Sequence, residues 1–230
     1  MKKTNTLLDN LESGFRRFGN WLNDEPDNEA IANRPPSLPG GTAATTAAIL
    51  VLDVSWSMEF TDFHPSRLDG AKKAARQFVE TARQNNPGQL VGVVSFCSDA
   101  REEAAPAVVG RDHGRLKRAI NGMSLDSATN IEAGLNLARE AIQRAGATVN
   151  SIVLLTDGEP NEGNAKAAAK RVKKDGIELS IIGIGGTPDD VNEPLLRQMA
   201  SVANGEVRYW FISNVPDLVK RFEVLGLQAF

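Results

Sequence analysis

The chain has 230 residues, 26 Lys+Arg against 29 Asp+Glu, and a net charge of −3. That length supports a full hydrophobic core without a disulfide or metal staple, and the slightly acidic balance argues against a protein built to coat nucleic acid. One Cys and two His exclude an intramolecular disulfide and argue against Cys-rich or multi-His metal centres, and no run approaches the ~18 apolar residues of a membrane-spanning helix.

Residues 5 to 22 place Leu7, Leu8, Leu11, Phe15, Phe18 and Leu22 at spacings of three and four, one face of an amphipathic helix. Gly14 and Gly19 weaken that helix by roughly 1 kcal/mol each relative to Ala, so it is expected to dock on something. Phe15, Phe18, Trp21 and Leu22 are the candidate contacts, and the occupant is a protein partner, the chain's own domain or a membrane. Asp9, Glu12, Asp24 and Glu25 disfavour an anionic lipid surface, which makes a protein partner the preferred reading. Asp9 and Glu12 also fall where a signal peptide needs its apolar core, so the expected location is the cytoplasm. Residues 1–24 are read as this helical arm and residues 25–44 as a linker, in which Pro35-Pro36 and Pro39-Gly40-Gly41 can continue neither a helix nor a central strand.

From residue 45 to 230 the pattern alternates. Apolar, partly β-branched runs at 47–54, 90–96, 152–155, 177–184 and 207–212 read as strands. Helical spacing appears at 68–85, 115–120, 131–145, 164–174, 191–202 and 216–225. Residues 104–109 form a weaker strand, and Pro106 confines it to an edge. The predicted fold is α/β: a Rossmann-like open sheet, mainly parallel with one antiparallel edge strand, helices on both faces, and the N-terminal amphipathic helix in addition.

Ligands of such sheets bind outside the carboxyl ends of the strands, and three oxygen-rich segments fall there. Asp53-Val54-Ser55-Trp56-Ser57 ends the first strand, Ser127-Ala128-Thr129-Asn130 precedes the 131–145 helix, and Thr156-Asp157-Gly158 ends the strand from Ile152. Asp53, Ser55 and Ser57 alternate, so a turning loop can aim all three oxygens one way, and Thr129 and Asp157 can complete the cluster. Hard oxygen donors without Cys or His suit Mg²⁺, or Mn²⁺ or Ca²⁺, rather than Zn²⁺. The set is too small and too weakly charged for a closed cage, which leaves a position for water or for an incoming Asp or Glu.

These segments resemble the von Willebrand factor type A family, whose metal-ion-dependent adhesion site follows the pattern D-x-S-x-S, then Thr, then Asp. The match spans about residues 45 to 230. It implies a Rossmann-like domain that holds a divalent cation through Asp53, Ser55, Ser57, Thr129 and Asp157 and binds a protein partner through that metal. Two positions depart from the family pattern: Trp56 stands where Gly is usual, and Ser127-Ala128 replaces a Gly pair. Trp56 is either a contact for the partner or a lid packed on the 59–65 loop.

Bland readings compete. Gly183-Ile184-Gly185-Gly186 lacks dinucleotide spacing and reads as a strand-end turn. No G-x-S-x-G elbow supports a hydrolase built on His64 or His113, both expected in loops, so no catalytic residue is assigned. Cys97 reads as a core-edge residue, and Asp62 and Asp126 as surface charges near the metal loops. The expected function is a cation-dependent protein-binding module in an intracellular complex. The alternative is an assembly subunit that hooks in through its arm, with the metal site secondary.

Overall fold

The computed structural model describes residues 45–158, 160 and 162–228. The helical arm and linker, with Phe15, Phe18, Trp21 and Leu22, lie outside the described residues, and the arm remains an expectation.

β1 (Thr46–Asp53) forms because its eight residues include a run of β-branched and aliphatic side chains that can be buried on both faces. α1 (Arg67–Asn85) follows, started by Ser66, whose side chain accepts from the Asp69 N–H. Next come β2 (Leu90–Phe96), β3 (Ala100–Val108), α2 (Val109–Gly122), α3 (Ile131–Ala145) and β4 (Val149–Thr156). The chain continues through α4 (Ala165–Lys174), β5 (Glu178–Ile184), α5 (Glu193–Met199), a two-strand ribbon of β6 (Val202–Ala203) and β7 (Glu206–Val207), then β8 (Tyr209–Ile212) and α6 (Val215–Leu227).

The main sheet runs β3-β2-β1-β4-β5-β8. β3 is antiparallel to β2, and the other pairings are parallel. This is the predicted α/β architecture. Alternate residues of β1 feed two cores. Ala48, Leu50 and Leu52 join Phe78, Leu116, Leu218 and Phe222 from α1, α2 and α6 on one face. Ile49 and Val51 join Leu135, Ala168 and Leu196 from α3, α4 and α5 on the other. Where α3 crosses the sheet a side chain has no room: a Cβ on Gly134 would lie 3.0 Å from the Phe96 ring and 3.1 Å from Val51.

Three expectations change in detail. The edge strand begins at Ala100 and not at 104, and its register shifts along Val91–Val94 of β2, a bend that accommodates the stretch around Pro106. The helix expected at 115–120 runs Val109–Gly122, which puts His113 on a helix and not in a loop. The run expected as one strand at 207–212 is split, and the preceding helix ends at Met199. Asn204 (φ 53°) and Gly205 (φ 80°) make a tight turn that pairs Val202 with Val207. An Asn-Gly pair favours that hairpin because both of its residues tolerate positive φ.

Among the described residues, no helix is long and apolar enough to cross a membrane.

Candidate metal centre

Strand order creates the site. The first crossover leaves β1 towards β2, whereas β4 pairs on the opposite side of β1 and continues to β5, so the sheet reverses direction between β1 and β4. A crevice opens at the carboxyl ends of strands at such a point, and Asp53 and Asp157 are the residues that end β1 and follow β4.

Asp53 is fully buried. Its Oδ1 accepts from the Ser55 N–H at 2.9 Å, and its Oδ2 accepts from the Thr156 hydroxyl at 2.6 Å. Thr156 Oγ1 in turn accepts the Gly158 N–H at 3.0 Å, which couples the two strand ends. After Ser55 the chain enters a 3₁₀ turn, Trp56–Glu59, in which Met58 is buried. Met58 and Phe63, both essentially inaccessible, pin this loop to the core. The Ser55 and Ser57 hydroxyl oxygens are held 3.2 Å apart.

The second loop is fastened to the first by backbone bonds. The Asp126 N–H donates to Val54 O at 2.8 Å, and the Trp56 N–H donates to Ser127 O at 3.3 Å. Asn130 caps α3 by accepting the Ala133 N–H at 3.0 Å, while its own amide donates to Ser98 O at 3.1 Å. Thr129, buried, sits immediately before this cap. The structure thus places Asp53, Ser55, Ser57, Thr129 and Asp157 at the carboxyl end of β1 and in the adjoining loops, on one end of the sheet.

Electrostatics show what these groups fit. Burial, and next the Asp157 charge, push the Asp53 carboxyl up from its ordinary 3.8 to about 7. Burial also raises Asp157, offset in part by the Ser57 hydroxyl and the Arg67 guanidinium. Two desolvated carboxylates, of which Asp157 raises the proton affinity of Asp53, flanked by hydroxyl oxygens, fit a hard divalent cation, because its charge would relieve the repulsion that a second carboxylate creates. His and Cys play no part in this set. Among the described residues, no cluster of three or more His, Cys, Asp or Glu forms an alternative centre.

A pH dependence follows for the metal-free domain. Asp53 holds its proton more tightly folded than unfolded, so its contribution to stability is fully present below about pH 4 and is lost as pH rises through about 7. Urea unfolding in chelator is expected to show wild type losing stability relative to Asp53→Asn between pH 4 and 7. A constant difference across that range would contradict the assignment.

The sequence reading missed Arg67. It is the first residue of α1, and its side chain is 5% exposed. Its Nε donates to both carboxylate oxygens of Asp62, at 2.9 and 3.0 Å, and its Nη1 donates to Asp157 Oδ2 at 3.2 Å. Asp190 Oδ2 lies 3.7 Å from Nη2, and the Phe60 ring stacks on the guanidinium with its centroid 5.0 Å away. Asp62, expected to be a surface charge, is therefore a structural partner, held below the usual carboxylate range by Arg67. One signal was available in the sequence: a cation in the first turn of a helix opposes the helix dipole and needs anionic company.

The rim is aromatic on one side and polar on the other. Trp56 is 63% exposed and Phe60 58%, so Trp56 is not a lid packed on the 59–65 loop. Opposite, a cavity of about 190 Å³ is lined by Ser98, Asp99, Arg101, Ser124 and Asp126. Cys97 beside it is half-buried, as expected for the edge of the core.

The model of the von Willebrand factor type A domain matches residues 49–222. The chain belongs to this family. A UPF0353 protein of Mycolicibacterium gilvum is 28% identical over 184 residues, covering 69% of this chain and 53% of that protein. The chain thus spans about half the length of the curated relatives it matches. Among solved structures, an aerotolerance-related membrane protein from Bacteroides fragilis superposes with a TM-score of 0.64 at 26% identity, covering 79% of this chain and 98% of that one. The conserved hypothetical protein BatB from Bacteroides thetaiotaomicron superposes with a TM-score of 0.65 at 25% identity and the same coverage. The likeness to a membrane protein overturns the expected cytoplasmic location, which rested on charged residues near the N-terminus and not on the domain.

Proposed function

We propose that this von Willebrand factor type A domain is a non-enzymatic module that binds a protein partner through a divalent cation. Asp53, Ser55, Ser57, Thr129 and Asp157 would hold the cation, with Mg²⁺ the first choice and Mn²⁺ or Ca²⁺ compatible. When bound, the cation supplies a Lewis-acid position for a carboxylate of the partner. The observation that carries this reading is the approach of two buried carboxylates from adjacent strands, each raised by burial, with the paired Ser55 and Ser57 hydroxyls beside them.

The chain's own residues do the rest. Asp53 and Asp157 are the only carboxylates of the proposed set, and with three hydroxyls they are too few to close a hard cation's coordination, so a position is left for a carboxylate that the partner supplies. Trp56 and Phe60 offer exposed aromatic area next to that position, the residue types that dominate interface energetics. The polar loops from Ser98 and Ser124 face the other flank. A hydrolytic role for His113 has no support, because α2 follows the antiparallel β3, which carries the chain away from the carboxyl ends of the parallel strands. The similarity to an aerotolerance-related membrane protein supports a membrane-associated assembly as the setting.

The test is affinity capture on immobilised domain from soluble and detergent-solubilised membrane fractions of the source organism. A partner retained in Mg²⁺, released by chelator and absent from the Asp53→Ala resin is expected. Retention that ignores both chelator and substitution would contradict metal-mediated binding.

A further inference from the structure

We propose that Arg67 is a positioning residue for the metal centre. Its guanidinium fixes Asp157 in the orientation that the cation requires, and it raises cation affinity although it carries a positive charge itself. This inference rests on reading the site as a metal centre.

The geometry argues for orientation over repulsion. Arg67 uses different edges of one planar group for different carboxylates: Nε faces Asp62 and Nη1 faces Asp157. Asp62 lies in the loop after β1, Asp157 follows β4, and Asp190, 3.7 Å from Nη2, lies in the loop after β5. One side chain therefore ties together three loops that meet at the crevice. Its charge is already matched by the bidentate pair with Asp62 and by the nearby Asp190, so little net repulsion remains to act on a bound cation. Asp157 is held on one side by Arg67 and on the other by the Ser57 hydroxyl. A partner that orients a ligating carboxylate in this way is worth 10- to 100-fold in metal affinity in well-studied sites.

The placement also opposes the chain's local preference. A cation at the first position of α1 faces the positive end of the helix dipole. It is nevertheless buried, and its outer face is covered by the Phe60 ring at 5.0 Å. Lysine cannot substitute, because a single ammonium cannot form the fork that reaches Asp62 and Asp157 together.

The experiment is calorimetric titration of the folded domain with Mn²⁺, for wild type, Arg67→Gln, Arg67→Lys and Asp62→Asn. Circular dichroism and the melting temperature in chelator are recorded for each. Arg67→Gln is expected to weaken Mn²⁺ binding roughly 10- to 100-fold, and Arg67→Lys to recover little of it. Asp62→Asn, which touches no proposed ligand, is expected to show a smaller loss in the same direction. It keeps the test intact if Arg67→Gln does not fold. A merely structural Arg67 would lower the metal-free melting temperature and leave the affinity of the folded protein unchanged. Unchanged or tighter binding in Arg67→Gln, or full recovery by Arg67→Lys, would overturn the inference while leaving the metal centre standing. Absence of saturable Mn²⁺ binding by wild type would overturn the metal reading, and this inference with it.

Discussion

Asp53→Ala is expected to lose divalent-cation binding by about 100-fold or more, because it removes one of the two carboxylates proposed to hold the cation, and losing even a partner that only orients such a ligand costs 10- to 100-fold. The fold should survive. The substitution strands the Ser55 N–H and the Thr156 hydroxyl, which both donate to Asp53, at roughly 1–3 kcal/mol for each buried donor left unpaired. It also removes one of two buried carboxylates that repel each other, and that relief offsets part of the loss. Asp53→Asn separates the contributions, since an amide oxygen can still accept the Ser55 N–H while the charge is gone. Both variants should show the wild-type circular dichroism spectrum, no saturable Mn²⁺ uptake by calorimetry, and no melting shift on adding Mg²⁺. Near-wild-type affinity in both would remove Asp53 from the centre.

Phe222→Ala is expected to do the reverse. Phe222 is fully buried on α6, in the core that also holds Phe78 of α1 and Leu50 and Leu52 of β1. The two helices approach closely: a Cβ on Gly226 would lie 3.0 Å from the Phe78 carbonyl oxygen and 3.1 Å from Thr81 Cβ. Such tight backbone packing leaves little room for neighbours to collapse into the hole, so the loss should fall near the upper end of about 3–5 kcal/mol. Against a total of roughly 5–15 kcal/mol for a domain, that is a large fraction. Urea unfolding should move to a markedly lower midpoint with an unchanged slope. The protein that remains folded should bind Mn²⁺ as wild type does, because Phe222 lies on α6 and supplies no oxygen to the crevice. A loss below about 1 kcal/mol would mean that α6 is not held as the structure places it.

The strand-end positions of the site oxygens were easier to read from the sequence than the details of the fold. Asp53, Ser55, Ser57, Thr129 and Asp157 could be located because strand ends are visible as the close of apolar runs, and chemistry at strand ends has a fixed meaning in a parallel sheet. Arg67 could not be found that way. Its partners lie five, 90 and 123 positions away, a relation set by sheet order and not by any local period. The helix following β3 was read too short because Gly110 and Gly114 interrupt its apolar spacing. Yet the backbone there continues as a helix, with the Gly110 N–H donating to Pro87 O and Leu116 and Ile120 buried. The ribbon at 202–207 was missed because two-residue strands show no alternation, although Asn204-Gly205 carried the turn signal.

The location failed for a different reason. Acidic residues near the N-terminus argued against one route of export, but nothing in the domain bears on where it works, and similarity to a membrane protein points elsewhere.

The central claim is that Asp53, Ser55, Ser57, Thr129 and Asp157 form one divalent-cation site. Titration of the wild-type protein with Mn²⁺, monitored by calorimetry and repeated in excess Mg²⁺, tests it most directly. The account predicts one saturable Mn²⁺ per chain, displaced by Mg²⁺. No saturable binding near neutral pH, or binding that persists unchanged in Asp53→Ala, would contradict it.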